Sequence, residues 1–177
     1  RDSIAKVVSF DHKFIGYGFI NHASKIIVRI LSYNEEALSD NFIYDRIAGA
    51  NKRRLDMGYS DNYRAVFSES DMLPGLIVDK YGDYLSIQVL TLGMEIRKKE
   101  IIESLVKIFN PKGIYERSDV AVREKEGLKE FKGVIYGEVP SKVIINENDL
   151  KLYVDIENGQ KTGYFLDQKQ NRENIKF

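Results

Sequence analysis

A switch of hydrophobic period near Ser32 sets the terms for the fold. Upstream of it, the runs IAKVVSF, FIGYGFI and IIVRIL read as strands, with a turn over Asp11 to Lys13. Downstream, Leu38, Phe42, Ile43, Ile47 and Ala50 recur at helical spacing, which predicts a helix over Asn34 to Met57 with Gly58 as its left-handed stop. Strands and helices in successive blocks place the chain in the α+β class.

The rest of the sequence continues in short pieces. RAVFS, LIVDKYG and YLSIQVL read as extended, broken by Leu73-Pro74-Gly75, where Pro followed by Gly suits a type II turn. A hairpin loop is expected over Asp79 to Asp83, and a second helix from about Glu95 to Phe109, ended by Asn110-Pro111. GIYERSD reads as a strand capped at Ser118 or Asp119, followed by a short polar helix over Val122 to Leu128. GVIYGEVP, KVIINEN and LKLYVDI are extended, the last two joined by a hairpin through Glu147-Asn148-Asp149. With 177 residues and 43% hydrophobic content, the chain can bury a core as one domain or as two small ones.

Composition removes several function classes. There is no cysteine, so disulfides, thiolate metal sites and thiolate nucleophiles are excluded within this chain. His12 and His22 alone cannot build a zinc site, and no metal site is expected. No apolar run approaches the roughly 20 residues that cross a bilayer. The 27 basic and 27 acidic residues cancel, which disfavours nucleic-acid binding by bulk charge and leaves local patches. The chain starts at Arg1 without Met and is expected to be a piece of something longer.

Familiar catalytic motifs fail on spacing. Gly16 and Gly18 flank Tyr17 in a strand, and Asn21 stands where a dinucleotide fingerprint needs a third glycine, so this Gly-x-Gly reads as structural. Lys161-Thr162 lacks the P-loop glycines, since Gln160 and Asp155 occupy their positions. Ser70, His22 and Asp71 have nothing to bring them together as a triad, and no Gly-x-Ser-x-Gly turn exists. Ser and Asp in Phe67-Ser-Glu-Ser-Asp-Met-Leu-Pro-Gly are the kind that hydrogen-bond a turn backbone. Lys52, Arg53 and Arg54 close the first helix, where cations complement the dipole; their functional reading is a phosphate-contacting patch. Arg97, Lys98 and Lys99 open the second helix, where the dipole disfavours them.

ESDMLPGLIVDKYGDYLSIQ, IYERSD with VREKEGL, and VDIENGQKTGYFLDQKQNR together resemble the S-adenosylmethionine-dependent methyltransferases of large-subunit ribosomal RNA, the cytosine-C5 type with an N-terminal PUA domain. The resemblance covers nearly the whole chain. It implies the second half of a PUA-like β-barrel over residues 1–32, a central α/β domain with a mixed or antiparallel sheet over 33–140, and a C-terminal β-hairpin with the start of the methyltransferase domain over 141–177. It implies large-subunit ribosomal RNA as partner, S-adenosyl-L-methionine as cofactor held mainly by a domain beyond this chain, a cytoplasmic setting without membrane, and a homodimer as an open option. It places Lys161, Thr162, Phe165, Asp167, Gln168 and Arg172 toward the cofactor, and Lys52, Arg53, Arg54, Arg117 and Lys161 toward RNA.

The resemblance implies no catalytic residue in this stretch. Cytosine C5 is a poor nucleophile until a thiolate adds to C6, and this chain offers no thiolate. The tail from Gly159 to Arg172 is then expected to fold over the cofactor pocket, with Tyr164 and Phe165 on opposite faces. The plainer reading of the same tail is a hairpin end followed by a helix capped at Asp167, with Gln168, Asn171 and Arg172 exposed. A non-catalytic RNA-binding or ribosome-assembly module is the alternative function, and a small-molecule methyltransferase a third.

Overall fold

The computed structural model describes residues 4–36 and 38–175. It has mixed α and β content in three separate sheets. Strands β1 (Ile4–Val8), β2 (Phe14–Ile20) and β3 (Val28–Ser32) form an antiparallel meander that stays open rather than closing into a barrel. Gly16 and Gly18 serve strand packing, because a Cβ at Gly18 would lie 3.0 Å from Val28 Cγ1 and one at Gly16 3.2 Å from Ile30 Cγ2.

The first helix, α1 (Phe42–Asp56), begins eight residues later than the periodicity predicts. Polar Asn34, Ser39, Asp40 and Asn41 explain the delay: the Phe42 amide bonds the Ser39 carbonyl at 3.1 Å and the Ser39 hydroxyl donates to Asp45. Such side chains compete with helical backbone bonds. Leu38 packs against the core from outside the helix, so the apolar stripe extends past the helix itself. Gly58, at φ +89°, is the left-handed stop expected.

A five-stranded sheet follows, in the order β4 (Asn62–Phe67), β5 (Leu76–Tyr81), β6 (Tyr84–Val89), β7 (Gly113–Ser118), β8 (Phe131–Gly137). All pairs are antiparallel except β6 with β7, whose crossover runs through α2 (Leu92–Ile96) and α3 (Lys98–Phe109). Gly75 at φ +86° and a Leu76 amide to Leu73 carbonyl bond of 2.9 Å fit the turn expected there. The hairpin loop is only Gly82-Asp83; Asp79 lies inside β5, fully buried, although Asp-Lys looks like turn chemistry in the sequence.

The single helix expected from Glu95 is broken at Arg97. Its guanidinium takes the Gly93 carbonyl at 3.1 Å while its own amide shifts to the Met94 carbonyl, tightening the turn. Gly93 sits against the Phe19 ring, which also lies 4.6 Å beneath the Arg97 guanidinium. The short polar helix is a 3₁₀ turn over Ala121–Glu126, stopped by left-handed Gly127.

The two faces of the five-stranded sheet carry different cores. Leu76, Val78, Leu85, Ile87, Val89 and Ile114 face α1 and α3, together with Phe19 and Leu31 from the first sheet. The other face carries Tyr81 and Tyr115, covered by the hairpin β9 (Val143–Glu147) and β10 (Leu150–Val154). Asn148 and Asp149 both have positive φ, which gives this hairpin the turn twist its strands need. Alternation along the strands places Arg64, Asp79 and Arg117 on this second face.

Candidate nucleic-acid interface

Beyond β10 the chain folds back across the second sheet face as a tail that ends in a 3₁₀ turn (Leu166–Gln168) and α4 (Lys169–Asn174). Its first half is bound by buried polar contacts. Thr162 is fully buried, donates to Asp79, and shares a 3.0 Å hydrogen bond with the Tyr81 hydroxyl. Arg64 grips the same carboxylate through two bonds of 2.8 and 2.9 Å, and that hydrogen bond holds its guanidinium above the usual arginine range. Burial pushes the Tyr81 hydroxyl well above its ordinary pKa, with the Asp79 charge adding to the effect.

Arg117 holds the start of the tail. It is 8% exposed, and donates to the carbonyls of Ile156 at 2.6 Å and Gly159 at 3.0 Å and to Asp119 at 3.1 Å. The glycines serve this fold-back: Gly163 adopts φ +130°, where a Cβ would lie 2.9 Å from Val154 Cγ1. Tyr164 packs into the second core and Phe165 is exposed, the opposite-face arrangement expected.

The second half of the tail is anchored at one point. Arg172 forms a bidentate pair with Glu147 (2.5 and 2.9 Å), donates to the Phe165 carbonyl at 2.9 Å, and lies 4.4 Å over the Tyr164 ring. The hydrogen bond from Arg172 holds the Glu147 carboxyl below its usual range despite burial. The Tyr164 hydroxyl is pushed up by burial and by the Glu147 charge. Asp167 is no helix cap, because α4 begins at Lys169 and Asp167 pairs with Lys161 at 2.9 Å. Lys161 also lies 4.6 Å over Phe165. Gln168 is exposed and accepts from Asn171 at 2.7 Å.

The six tail residues expected near a cofactor therefore divide. Thr162 and Arg172 are committed to internal partners; Lys161, Phe165 and Gln168 are exposed, and Asp167, also exposed, lines the tail side of a cavity whose other wall is the end of α1. As a set they do not enclose a sulfonium cofactor.

The cations expected near RNA divide as well. Lys52 is exposed and paired with Asp56 at 2.7 Å. Arg53 has a side chain 54% exposed and one bond of 2.6 Å to Asp71. Arg54 is turned inward, gripping both oxygens of Asp71 at 2.7 Å and the Arg64 carbonyl at 3.2 Å. Burial would raise the Asp71 pKa, but Arg54, the Phe67 amide and Arg53 together hold it below the ordinary range. Asp71 accepts from the Phe67 amide and Ser68 from the Gly75 amide, the turn role expected of this segment. Between the end of α1 and the tail lies an open cavity of about 410 Å³, lined by both.

Sequence reasoning passed over Arg64, Asp79, Tyr81 and Glu147. The available signal was the strand alternation itself, which puts a charged residue at inward positions of β4 and β5.

The fold defines an α+β protein with a PUA-like start: a PUA-like domain family matches residues 1–33. A "Ribosomal RNA large subunit methyltransferase I" of Vibrio cholerae is 44% identical over 170 residues, 94% of this chain and 43% of that protein. One of the same name from Aeromonas salmonicida is 40% identical over 175 residues, 96% of this chain and 44% of that protein. A solved structure described as a SAM-dependent methyltransferase from Streptococcus mutans superposes with a TM-score of 0.78 at 22% identity, over 98% of this chain and 45% of its own. Another, a methyltransferase complexed with SAH, gives 0.77 at 23% identity, over 97% of this chain and 44% of its own. Over the length it spans, the chain is similar to proteins named ribosomal RNA large subunit methyltransferase. It spans less than half the length of the curated relatives it matches.

Proposed function

We propose that this chain is the substrate-binding part of an S-adenosyl-L-methionine-dependent methyltransferase of large-subunit ribosomal RNA. The observation that carries this reading is the 44% identity, over 94% of the chain, to a protein of that name. The units are residues 1–32 as part of a PUA-like RNA-binding domain, 33–140 as the central domain, and 141–177 as hairpin and lead into the catalytic domain. The target is a cytosine, the setting is the cytoplasm, and the thiolate that C5 chemistry needs comes from outside this chain, which has no cysteine. The cofactor is likewise bound mainly outside it, with Lys161, Phe165, Asp167 and Gln168 at most forming an outer edge.

RNA contact falls to Lys52, Arg53 and Lys161, whose ammonium and guanidinium groups reach solvent. Arg54 and Arg117 act from inside, holding the turn and the tail. The test is binding of a large-subunit ribosomal RNA fragment by fluorescence anisotropy as salt is raised. Affinity should fall with salt, and Lys52→Gln with Arg53→Gln should weaken binding and flatten the salt slope by about one unit for each phosphate no longer neutralised. Binding that ignores both substitutions contradicts the assignment of this face. Calorimetry with S-adenosyl-L-methionine should show no binding to this chain; tight binding would place the cofactor site here instead.

A further inference from the structure

The cavity between the end of α1 and the tail has a composition that the general RNA contact does not explain. Its walls bring together Met57, Tyr59, Tyr63 and Leu166 with Arg53, Arg64, Asp71 and Lys169. Tyr59 and Tyr63 stand 6.1 Å apart with rings tilted by 38°, so the buried Tyr63 backs the exposed Tyr59 ring. Tyr63 is locked in place, 3% exposed with its hydroxyl donating to Asn51 at 2.6 Å, whereas Tyr59 is 43% exposed. The charge is sorted by depth. Asp71 is neutralised by Arg53 and Arg54, and the Arg64 fork is occupied by Asp79 beneath the floor. Asp167 is neutralised by Lys161. Of the lining cations, the outer part of Arg53 and Lys169 remain.

An exposed aromatic ring beside a cationic rim fits a ligand with a π-face and a single anionic group. We propose that this cavity takes one unpaired nucleotide of the RNA, its base against Tyr59 and its phosphate on Arg53 and Lys169. At about 410 Å³ it lies within the roughly 300–1,000 Å³ of small-ligand sites. It is too small for a duplex, so the nucleotide must be unstacked before it enters. Ser70, exposed at the rim, and Asp167 supply a hydroxyl and a carboxylate for the ribose or base edge. This inference rests on the RNA-binding reading above and adds a strand preference to it: single-stranded RNA over duplex.

The test uses the whole chain and a short single-stranded RNA carrying one 2-aminopurine, titrated by fluorescence beside a duplex of the same length. Stacking on Tyr59 should quench the base, and Tyr59→Ala should remove the quench and weaken binding by about 5- to 100-fold. Tyr59→Phe should restore both, and Arg53→Gln should weaken binding while leaving the quench of the bound fraction. Lys99→Gln, on an ammonium with its side chain 92% exposed at the start of α3, should match the unaltered chain. If RNA binds but Tyr59→Ala and Arg53→Gln behave like Lys99→Gln, the cavity claim is overturned and the RNA reading stands. Duplex binding as tight as single strand also overturns the cavity claim. If the unaltered chain binds no RNA at all, the RNA reading fails and the cavity claim falls with it.

Discussion

Thr162 and Asp167 lie on one tail and each offers an oxygen that a ligand could use, yet their surroundings are opposite. Thr162 is fully buried between Asp79 and Tyr81; Asp167 is exposed, and its partners, Lys161 and Gln168, are exposed as well. The difference comes from what lies beneath each. Residues 155–164 cross inward-facing polar positions of β5 and β7, where Asp79 and Arg117 must be satisfied because unpaired buried charge is costly. Residues 165–169 pass beyond the sheet to the rim of the cavity, where nothing demands a partner. A polar side chain in this tail is thus structural or available according to the strand it crosses, not according to its type.

The largest effect should come from breaking the buried pair. Arg64→Met leaves Asp79 fully buried without its bidentate partner and should cost about 3–5 kcal/mol, read as a fall in the urea midpoint at constant slope. Gly163→Ala forces a side chain into φ +130° against Val154 and should cost about 1–3 kcal/mol in the same assay. Thr162→Val keeps the shape and removes the donor to Asp79, for about 1–2 kcal/mol. If Thr162→Val is silent while Arg64→Met is severe, the pair is stabilising but the tail is not held by it.

Glu147 sharpens the comparison through pH. Its carboxyl titrates below the ordinary glutamate range in the folded chain, chiefly through the Arg172 hydrogen bond, so the unfolded chain takes up the proton first. The stabilisation is therefore complete above the unfolded value, near pH ~4.3, and is lost as pH falls from there through the depressed folded value. Glu147→Gln should be less stable than the unaltered chain at neutral pH by about 1 kcal/mol or less, since Arg172 is partly solvated, and the gap should shrink in acid. A gap that widens in acid contradicts the pairing. Phe165→Ala and Gln168→Ala, on the exposed half, should stay within about 0.5 kcal/mol of the unaltered chain.

Much of this fold is legible in the sequence where pattern and local chemistry agree. The Pro74-Gly75 turn, the Gly58 stop and the Asn148-Asp149 hairpin are read from residues that tolerate or fix the required φ. Errors arise where a tertiary contact overrides local preference. Leu38 keeps the helical period because it packs on the core, although polar Ser39 to Asn41 hold its segment out of the helix. Arg97 breaks a helix by taking the Gly93 carbonyl, a contact that depends on how Phe19 from the first sheet sits against Gly93. The candidate site is legible by residue type alone: Lys52, Arg53 and Arg54 are adjacent in sequence, but only the approach of Asp71 turns Arg54 inward and leaves Arg53 at the surface. No local pattern carries that information.

Native-state hydrogen exchange on the whole chain tests the division of the tail most directly. The amides of Gly159 and Gly163, bonded to Asp155 and Gln160 at 2.9 Å over the Arg117 and Asp79 contacts, should exchange with protection approaching that of β5. Those of Lys169–Asn174, in a single short turn, should exchange far faster, and Arg64→Met should bring the two halves together. Fast exchange at Gly159 and Gly163 in the unaltered chain, matching that of α4, would contradict a tail locked along its first half and held at a single point in its second.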